Sequence, residues 1–365
     1  MESISGHSGF FYQRFDGSDS AISEVNCDNP YNEPTPLAAC RVGDLNVLKR
    51  ELQKDPAVVC KDYRCAKTED MVSLLFVAVT ERHVDLVQLL ISKNADVNYV
   101  TQVGWTPLSY AAKEGHIEVV RLLLNNGADI NLASLDGSTP ISYAAEEGHV
   151  EVVRLLINKR ADVNLATSDG FTPLSFAAEE GHVEVVRLLI NKRADVNLAT
   201  SDGFTPLSFA ADKGYVEVVQ LLLDHEAKVN LATNKGTTPL SFAAQKGHVE
   251  VARQLIEKGA DVDQATIKKA TPLYFAAKLG NNKMVELLLA NGADPNKKAE
   301  RFRLWFFPIT RSPRAAARRY HGNKETVEMI RAAKALKKRN IVRSSEYSPL
   351  LAGQFPSFGS IRQDL

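Results

Sequence analysis

The chain has 365 residues, and its 44 acidic and 44 basic side chains give a formal net charge of zero. That balance excludes a global electrostatic pull toward nucleic acid or acidic membrane. Four cysteines, Cys27, Cys40, Cys60 and Cys65, are too few for a disulfide framework in a chain of this length, so free thiols in a reducing compartment are expected.

Residues 1–33 mix Ser, Gly, Asn and Asp with Phe10, Phe11, Tyr12 and Phe15. They read as a flexible leader without the apolar segment of a secretory signal. A repeat array then occupies residues 34–300. Its first copy opens at Thr35-Pro36-Leu37-Ala38-Ala39, and its second runs from Ser73-Leu74-Leu75 to Ala95-Asp96-Val97-Asn98 without the Thr-Pro. Regular copies start with Thr-Pro at 106, 139, 172, 205, 238 and 271. The 33-residue stretches beginning at Ile157 and Ile190 differ only at Glu179/Asp212, Glu180/Lys213, His182/Tyr215 and Arg187/Gln220. A fixed period of this length marks a stacked-repeat protein, in which each unit buries its apolar face against its neighbours.

One copy shows the local logic. Thr139 offers an acceptor to the free donors of a first helical turn, and Pro140 sits where its missing N–H costs nothing. Gly148 supplies the positive φ that ends this short helix. Val152, Val153, Leu155 and Leu156 then form the apolar stripe of a second helix, and the small Ala144 and Ala145 let the helices approach closely. Ala161-Asp162-Val163-Asn164 leaves that helix, and Ser168-Asp169-Gly170 makes a projecting turn before the next Thr-Pro.

Past Asn296 the pattern breaks. Ser312-Pro313, Ala316-Ala317, Gly322-Asn323 and Val327-Glu328-Met329-Ile330 read as a degenerate capping copy within 301–343, displaced by an insertion. Residues 344–365 read as a disordered tail. The apolar cluster from Phe302 to Ile309 is interrupted by Arg303 and Pro308 and is far short of the roughly 20 residues of a membrane span. A soluble protein is expected.

Thr-Pro-Leu, Ala-Ala, Gly-His and Gly-Ala-Asp-x-Asn, in that order over about 300 residues, resemble the ankyrin repeat. The resemblance implies an all-α repeat solenoid of about nine helix-turn-helix units with projecting turn or hairpin loops, capped at both ends. Two departures stand out. Ser109, Ser142, Ser175, Ser208 and Ser241 occupy a position where the family usually has His, which puts the usual inter-repeat His hydrogen bond in question. Gly127, Gly259 and Gly292 become Arg160, Arg193 and Glu226 in the middle copies. A left-handed backbone there costs each non-glycine residue on the order of 1 kcal/mol.

No phosphate-binding loop, dinucleotide turn, His-Glu-x-x-His helix or serine elbow occurs. His83, His116, His149, His182 and His248 recur one per unit, a spacing that reads as part of the repeat's turn rather than a ligand set. Asp224-His225-Glu226 are consecutive at a helix end and point different ways, and Cys60 with Cys65 lack a second ligand pair. No enzyme activity, metal or cofactor is expected.

In the ankyrin family, contacts usually come from the turn tips and the exposed ends of the first helices. Carried onto this sequence, that gives the tip aromatics Trp105, Phe171 and Phe204, the tip acids Asp136, Asp169 and Asp202, and the helix-end acids Glu146, Glu147, Glu179 and Glu180. Each tip ring is either an interface anchor or folded back over a neighbouring helix. The centre of the face is acidic, whereas Lys213, Lys235, Lys246, Lys268, Lys269 and Lys278 make the later part basic. A non-catalytic scaffold follows, its acidic centre receiving a basic segment of a protein partner. Tyr110, Tyr143, Phe176, Phe209, Phe242 and Phe275 form a second series, read as packing.

The segment 301–343 carries thirteen Lys/Arg against Glu325 and Glu328. It is either a solvated basic cap or a contact for membrane, nucleic acid or nuclear import, and an adaptor or secreted effector is the corresponding alternative function. Tyr347-Ser348-Pro349-Leu350 and Glu346 with Leu350-Leu351 match short trafficking signals. The resemblance also implies possible asparaginyl hydroxylation at Asn98, Asn131, Asn164 and Asn197. A monomer in the cytoplasm, with the nucleus as the other compartment, completes the reading.

Overall fold

A computed structural model describes residues 35–64, 71–304, 307–320 and 324–346. They form an all-α repeat solenoid: nine helix pairs in a row, with two short hairpins, among the described residues. The pairs are α1 (Thr35–Val42) with α2 (Leu45–Lys54), α3 (Leu74–Thr80) with α4 (Val84–Ser92), and α5 (Pro107–Lys113) with α6 (Ile117–Asn125). Next come α7 (Pro140–Glu146) with α8 (Val150–Asn158), α9 (Pro173–Glu180) with α10 (Val183–Asn191), and α11 (Pro206–Lys213) with α12 (Val216–Asp224). The last three are α13 (Pro239–Lys246) with α14 (Val249–Glu257), α15 (Pro272–Leu279) with α16 (Asn282–Ala290), and α17 (Pro313–Tyr320) with α18 (Lys324–Glu346). First helices pack on first helices and second helices on second helices along the row.

Each regular unit starts for the same reason. The Thr172 hydroxyl accepts the Ser175 N–H at 3.2 Å while Pro173 occupies the first helical position. In α5 the box is closed both ways: Ser109 N–H donates to Thr106 Oγ1 and Thr106 N–H to Ser109 Oγ, each at 2.9 Å. The serines that stand in the family's histidine position therefore stay inside their own helix cap, and Ser175 is fully buried. Ser73 replaces the missing threonine of the second unit, accepting the Phe76 N–H at 3.1 Å.

The helix breaks follow from backbone geometry. Gly181 has φ +82° and Gly214 φ +88°, a conformation open to glycine. At Gly148 a second constraint acts, because an added Cβ would lie 2.6 Å from the His182 ring of the next unit. Arg160, Arg193 and Glu226 do adopt the left-handed conformation, at φ +70°, +64° and +64°. Between helices lies a continuous core in which Leu156, Leu174, Leu189, Leu207 and Leu222 are fully buried, each worth about 1.5–3 kcal/mol. Ala144, Ala145, Ala177 and Ala178 are equally buried where helices approach closely.

The two ends depart from the phrase. Near the start, β1 (Asp62–Arg64) pairs antiparallel with β2 (Met71–Ser73). Near the other end, β3 (Ala299–Leu304) pairs with β4 (Phe307–Arg311), so the expected insertion is a hairpin. Behind it α17 packs on α15 and α18 on α16, burying Ala316, Ala317, Thr326 and Ile330 completely. Helix α18 spans 23 residues, against nine in α8 or α10, and extends past Ser344 because residues 331–339 are strong helix formers. Among the described residues no helix is long and apolar enough to cross a membrane. The leader residues 1–33, Cys65, Trp305, Phe306, and the Tyr347-Ser348-Pro349-Leu350 and Leu350-Leu351 motifs lie outside the described residues.

Candidate partner-binding face

The projecting turns are closed locally and then tied to one another. Gly170 N–H donates to Thr167 O at 2.8 Å and Phe171 N–H to Thr167 Oγ1 at 3.0 Å. Between units, Ser168 N–H reaches Asp136 O (2.8 Å), Ser201 N–H reaches Asp169 O (2.8 Å), Asn234 N–H reaches Asp202 O (2.9 Å) and Ile267 N–H reaches Lys235 O (3.1 Å). The tips are thus one hydrogen-bonded row that presents Asp136, Asp169, Asp202 and Lys235 at equal steps. Asp169 and Asp202 are exposed. Asp136 is half-buried, its carboxylate accepting from Ser134 Oγ (2.5 Å), Ser138 Oγ (2.8 Å) and the Ser138 N–H (3.1 Å).

The aromatic tips fold back. Trp105 lies 4.5 Å, centroid to centroid, from Tyr143 of the next unit and 5.9 Å from Tyr110 of its own. Phe171 sits 5.1 Å from Phe176 and 5.3 Å from Phe209, and Phe204 lies 5.1 Å from Phe209 and 5.3 Å from Phe242. The two aromatic series therefore join in two stacks, Tyr110 with Trp105 and Tyr143, and Phe176 with Phe171, Phe209, Phe204 and Phe242, in which each tip ring bridges its own first helix and the next. Such pairs add about 0.5–1.5 kcal/mol beyond area burial, which explains large rings at turn positions without a partner. All three tip rings remain half-buried rather than enclosed.

Beside this row lie the ends of the first helices. Lys113 on α5 pairs with Glu147 (3.7 Å), Lys213 with Glu179 on α9 (3.7 Å), and Lys246 with Asp212 on α11 (3.6 Å). The lysines of the basic part thus reach back one unit, so the charge gradient is partly stitched together rather than split into blocks. Glu146 sits inside the acidic group. Burial, then Glu147, push its carboxyl up to about 7, with Glu180 and Glu179 adding to the shift against the pull of Lys113. Glu180 is exposed at the end of α9.

The Gly-His histidines are bridges. His149 Nε2 lies 2.7 Å from Lys113 O, His182 Nε2 2.8 Å from Glu146 O, His248 Nε2 3.0 Å from Asp212 O and His83 Nε2 3.1 Å from Arg41 O. Each ring leaves its own turn to bond the preceding unit, so this row supplies the inter-unit contact that the serine substitutions put in question. The sequence reading assigned them only to their own turn; the signal was their constant place one residue after the position that ends the first helix. Among the described residues no group of His, Cys, Asp and Glu is arranged to hold a metal. Asp224 accepts from Lys258 (2.9 Å), His225 Nδ1 lies 2.8 Å from Leu221 O, and Glu226 turns the backbone, so these three serve separate partners.

A second ladder uses the asparagines. Asn98 Oδ1 accepts the Asp129 N–H (2.7 Å), Asn131 the Asp162 N–H (3.0 Å), Asn164 the Asp195 N–H (2.9 Å) and Asn197 the Lys228 N–H (2.8 Å). The residues named for hydroxylation thus each hold the next unit's backbone. At the far end, Lys337 of α18 pairs with Asp294 at 3.0 Å. Burial pushes the Asp294 carboxyl up, but the Asn296 N–H and Lys337 outweigh it and hold it below its usual value.

A search of curated proteins finds no match to the chain. The family model described as Ankyrin repeats (3 copies) matches residues 36–134, 75–167, 143–233, 194–266 and 228–299. Ankyrin repeats are generally protein–protein interaction modules. Matched from 36 to 299 and built of stacked helix pairs with projecting turns, the chain belongs to the ankyrin-repeat family.

Proposed function

We propose that this chain is a non-catalytic scaffold that holds a basic segment of a partner protein against its tip row and first-helix ends. The observation that carries the reading is the set of exposed carboxylates at Asp169, Asp202 and Glu180, beside turns whose backbone groups already bond one another. Rings of Trp105, Phe171 and Phe204 form the half-buried floor of this face rather than free anchors. Charge complementarity supplies association rate and partner choice, and the stacked floor supplies rigidity.

The test uses an Asp169→Lys/Glu180→Lys/Asp202→Lys variant, which leaves every ring pair in place. Affinity capture at physiological salt compares it with the wild-type chain. A partner captured by wild type and lost by the variant supports the reading, and a partner retained equally sinks it.

A second reading concerns α18, whose 23 residues exceed the nine or ten of the other second helices and bear Arg331, Lys334 and Lys337. In that reading the basic end contacts nucleic acid or anionic lipid. Binding to duplex DNA that weakens steeply with salt, or sedimentation with phosphatidylserine vesicles, would favour it over the acidic face.

A further inference from the structure

The ends of α7 and α9 bring four carboxylates together, and the lysines around them are unequally shared. Lys113 on α5 takes Glu147 at 3.7 Å, and Lys213 at the end of α11 takes Glu179 at 3.7 Å. Glu146 lies between these two ion pairs. It is half-buried, and its own carbonyl is occupied by the His182 ring at 2.8 Å. The titratable groups around it are Lys113 from α5, Glu147 next to it in the chain, Glu179 and Glu180 from α9, and the imidazole of His182, which meets its carbonyl. One cation lies near it and three carboxylates surround it.

We infer that docking of a basic segment on this face is proton-linked: a partner's cation brought to the half-buried Glu146 carboxyl, crowded by Glu147, Glu179 and Glu180, displaces a proton into solvent. The inference rests on the basic-segment reading above. Its physical basis is that a lysine or arginine brought to Glu146 supplies the opposite charge that Lys113 and Lys213 give to Glu147 and Glu179. Burial and like charge hold the proton on this carboxyl up to about 7, and the incoming cation offsets that penalty on the charged form. Linkage then gives the sign. A proton released on binding makes affinity rise with pH, by about tenfold from pH 6 to pH 8, and level off above that.

The experiment is calorimetric titration of the full chain with a lysine- and arginine-rich peptide, using a Gly-Ser peptide of equal length as control. It is run at pH 6, 7 and 8 and, at pH 6, in two buffers of different ionisation enthalpy. The expected result is release of close to one proton at pH 6, with affinity rising toward pH 8. In Glu146→Gln, which keeps the shape of the side chain, release disappears and the affinity profile flattens. This variant also separates the carboxyl from His149 and His182, which remain. Binding at pH 6 and pH 8 without proton release at pH 6, or release that persists in Glu146→Gln, overturns the inference and leaves the basic-segment reading standing. Absence of binding at pH 8 overturns both.

Discussion

The middle units and the C-terminal pair solve the same stacking problem with different chemistry. From α7 to α14 the inter-unit bonds recur at one interval: an asparagine holds the next unit's backbone, a histidine reaches back to the previous helix end, and tip backbones join. Tyr215 interrupts only the histidine row. At the far end, other contacts join the described residues. Asn282 bonds Glu325 at 2.6 Å and also meets the buried Thr326, Lys337 pairs with Asp294, and the β3–β4 hairpin stands where a tip turn would be. The middle is held by hydrogen bonds repeated from unit to unit, with ion pairs beside them, and the end by particular side chains. A repeated device lets units be copied, since any unit fits any other; the end must also finish a core against water.

That contrast is sharpest under core truncation. Leu189 and Ile330 are both fully buried, and Leu189→Ala should cost about 3 kcal/mol of the array's stability. Ile330→Ala should instead release protection chiefly over 313–346, because only one neighbour depends on that pair. Hydrogen exchange read segment by segment checks this, and equal loss throughout the chain in both variants would break the comparison.

Next in size is the half-buried acid of the middle. Glu146 in the folded chain holds its proton to about pH 7, against 4.5 for an ordinary glutamate. Its folded value is raised, so its contribution is fully present below pH 4.5 and is lost as the pH rises through about 7. Glu146→Gln should therefore be more stable than wild type at pH 8 by at most roughly 2 kcal/mol, with the gap closing by pH 4.5. Paired denaturant titrations at the two pH values decide it, and a gap that is the same at both refutes it.

The asparagine ladder carries a smaller load per bond. Asn164→Ala leaves the Asp195 N–H without its acceptor and should cost about 1–2 kcal/mol. Faster exchange of the Asp195 amide, with no matching change at α17, would place the effect in the middle. The smallest expected change is a gain. Arg193 carries φ +64° where Gly259 carries +86°, so Arg193→Gly should stabilise by about 1 kcal/mol and Gly259→Arg should cost a similar amount. Space does not limit the reverse change, because a Cβ at Gly259 meets no atom within 4 Å.

Much of this was legible in advance because it is local. Thr172 with Pro173 starts a helix wherever the pair occurs, and Gly181 ends one, so element positions followed from spacing alone. The strain at Arg160, Arg193 and Glu226 was readable by setting the copies side by side. The candidate face was legible in part: the repeat register places its acidic residues at the tips and helix ends, but the rings of Trp105, Phe171 and Phe204 have a use that sequence left open. Whether a ring at a turn projects or folds depends on Tyr143, Phe209 and Phe242 one unit away, and no local pattern reports that distance.

By itself, then, the sequence determined the period, the helix pairs, the solenoid and the family, because each rests on propensities acting within a few residues and repeated at a fixed step. Tertiary structure decided what the repeated polar residues do. His182 meets Glu146 O and Asn164 meets the Asp195 N–H only after units stack, and Glu146 becomes a crowded, half-buried acid only when α9 arrives beside α7. Those properties belong to pairs of units rather than to any one of them, since burial, like-charge repulsion and hydrogen-bond satisfaction are all set by what packs alongside.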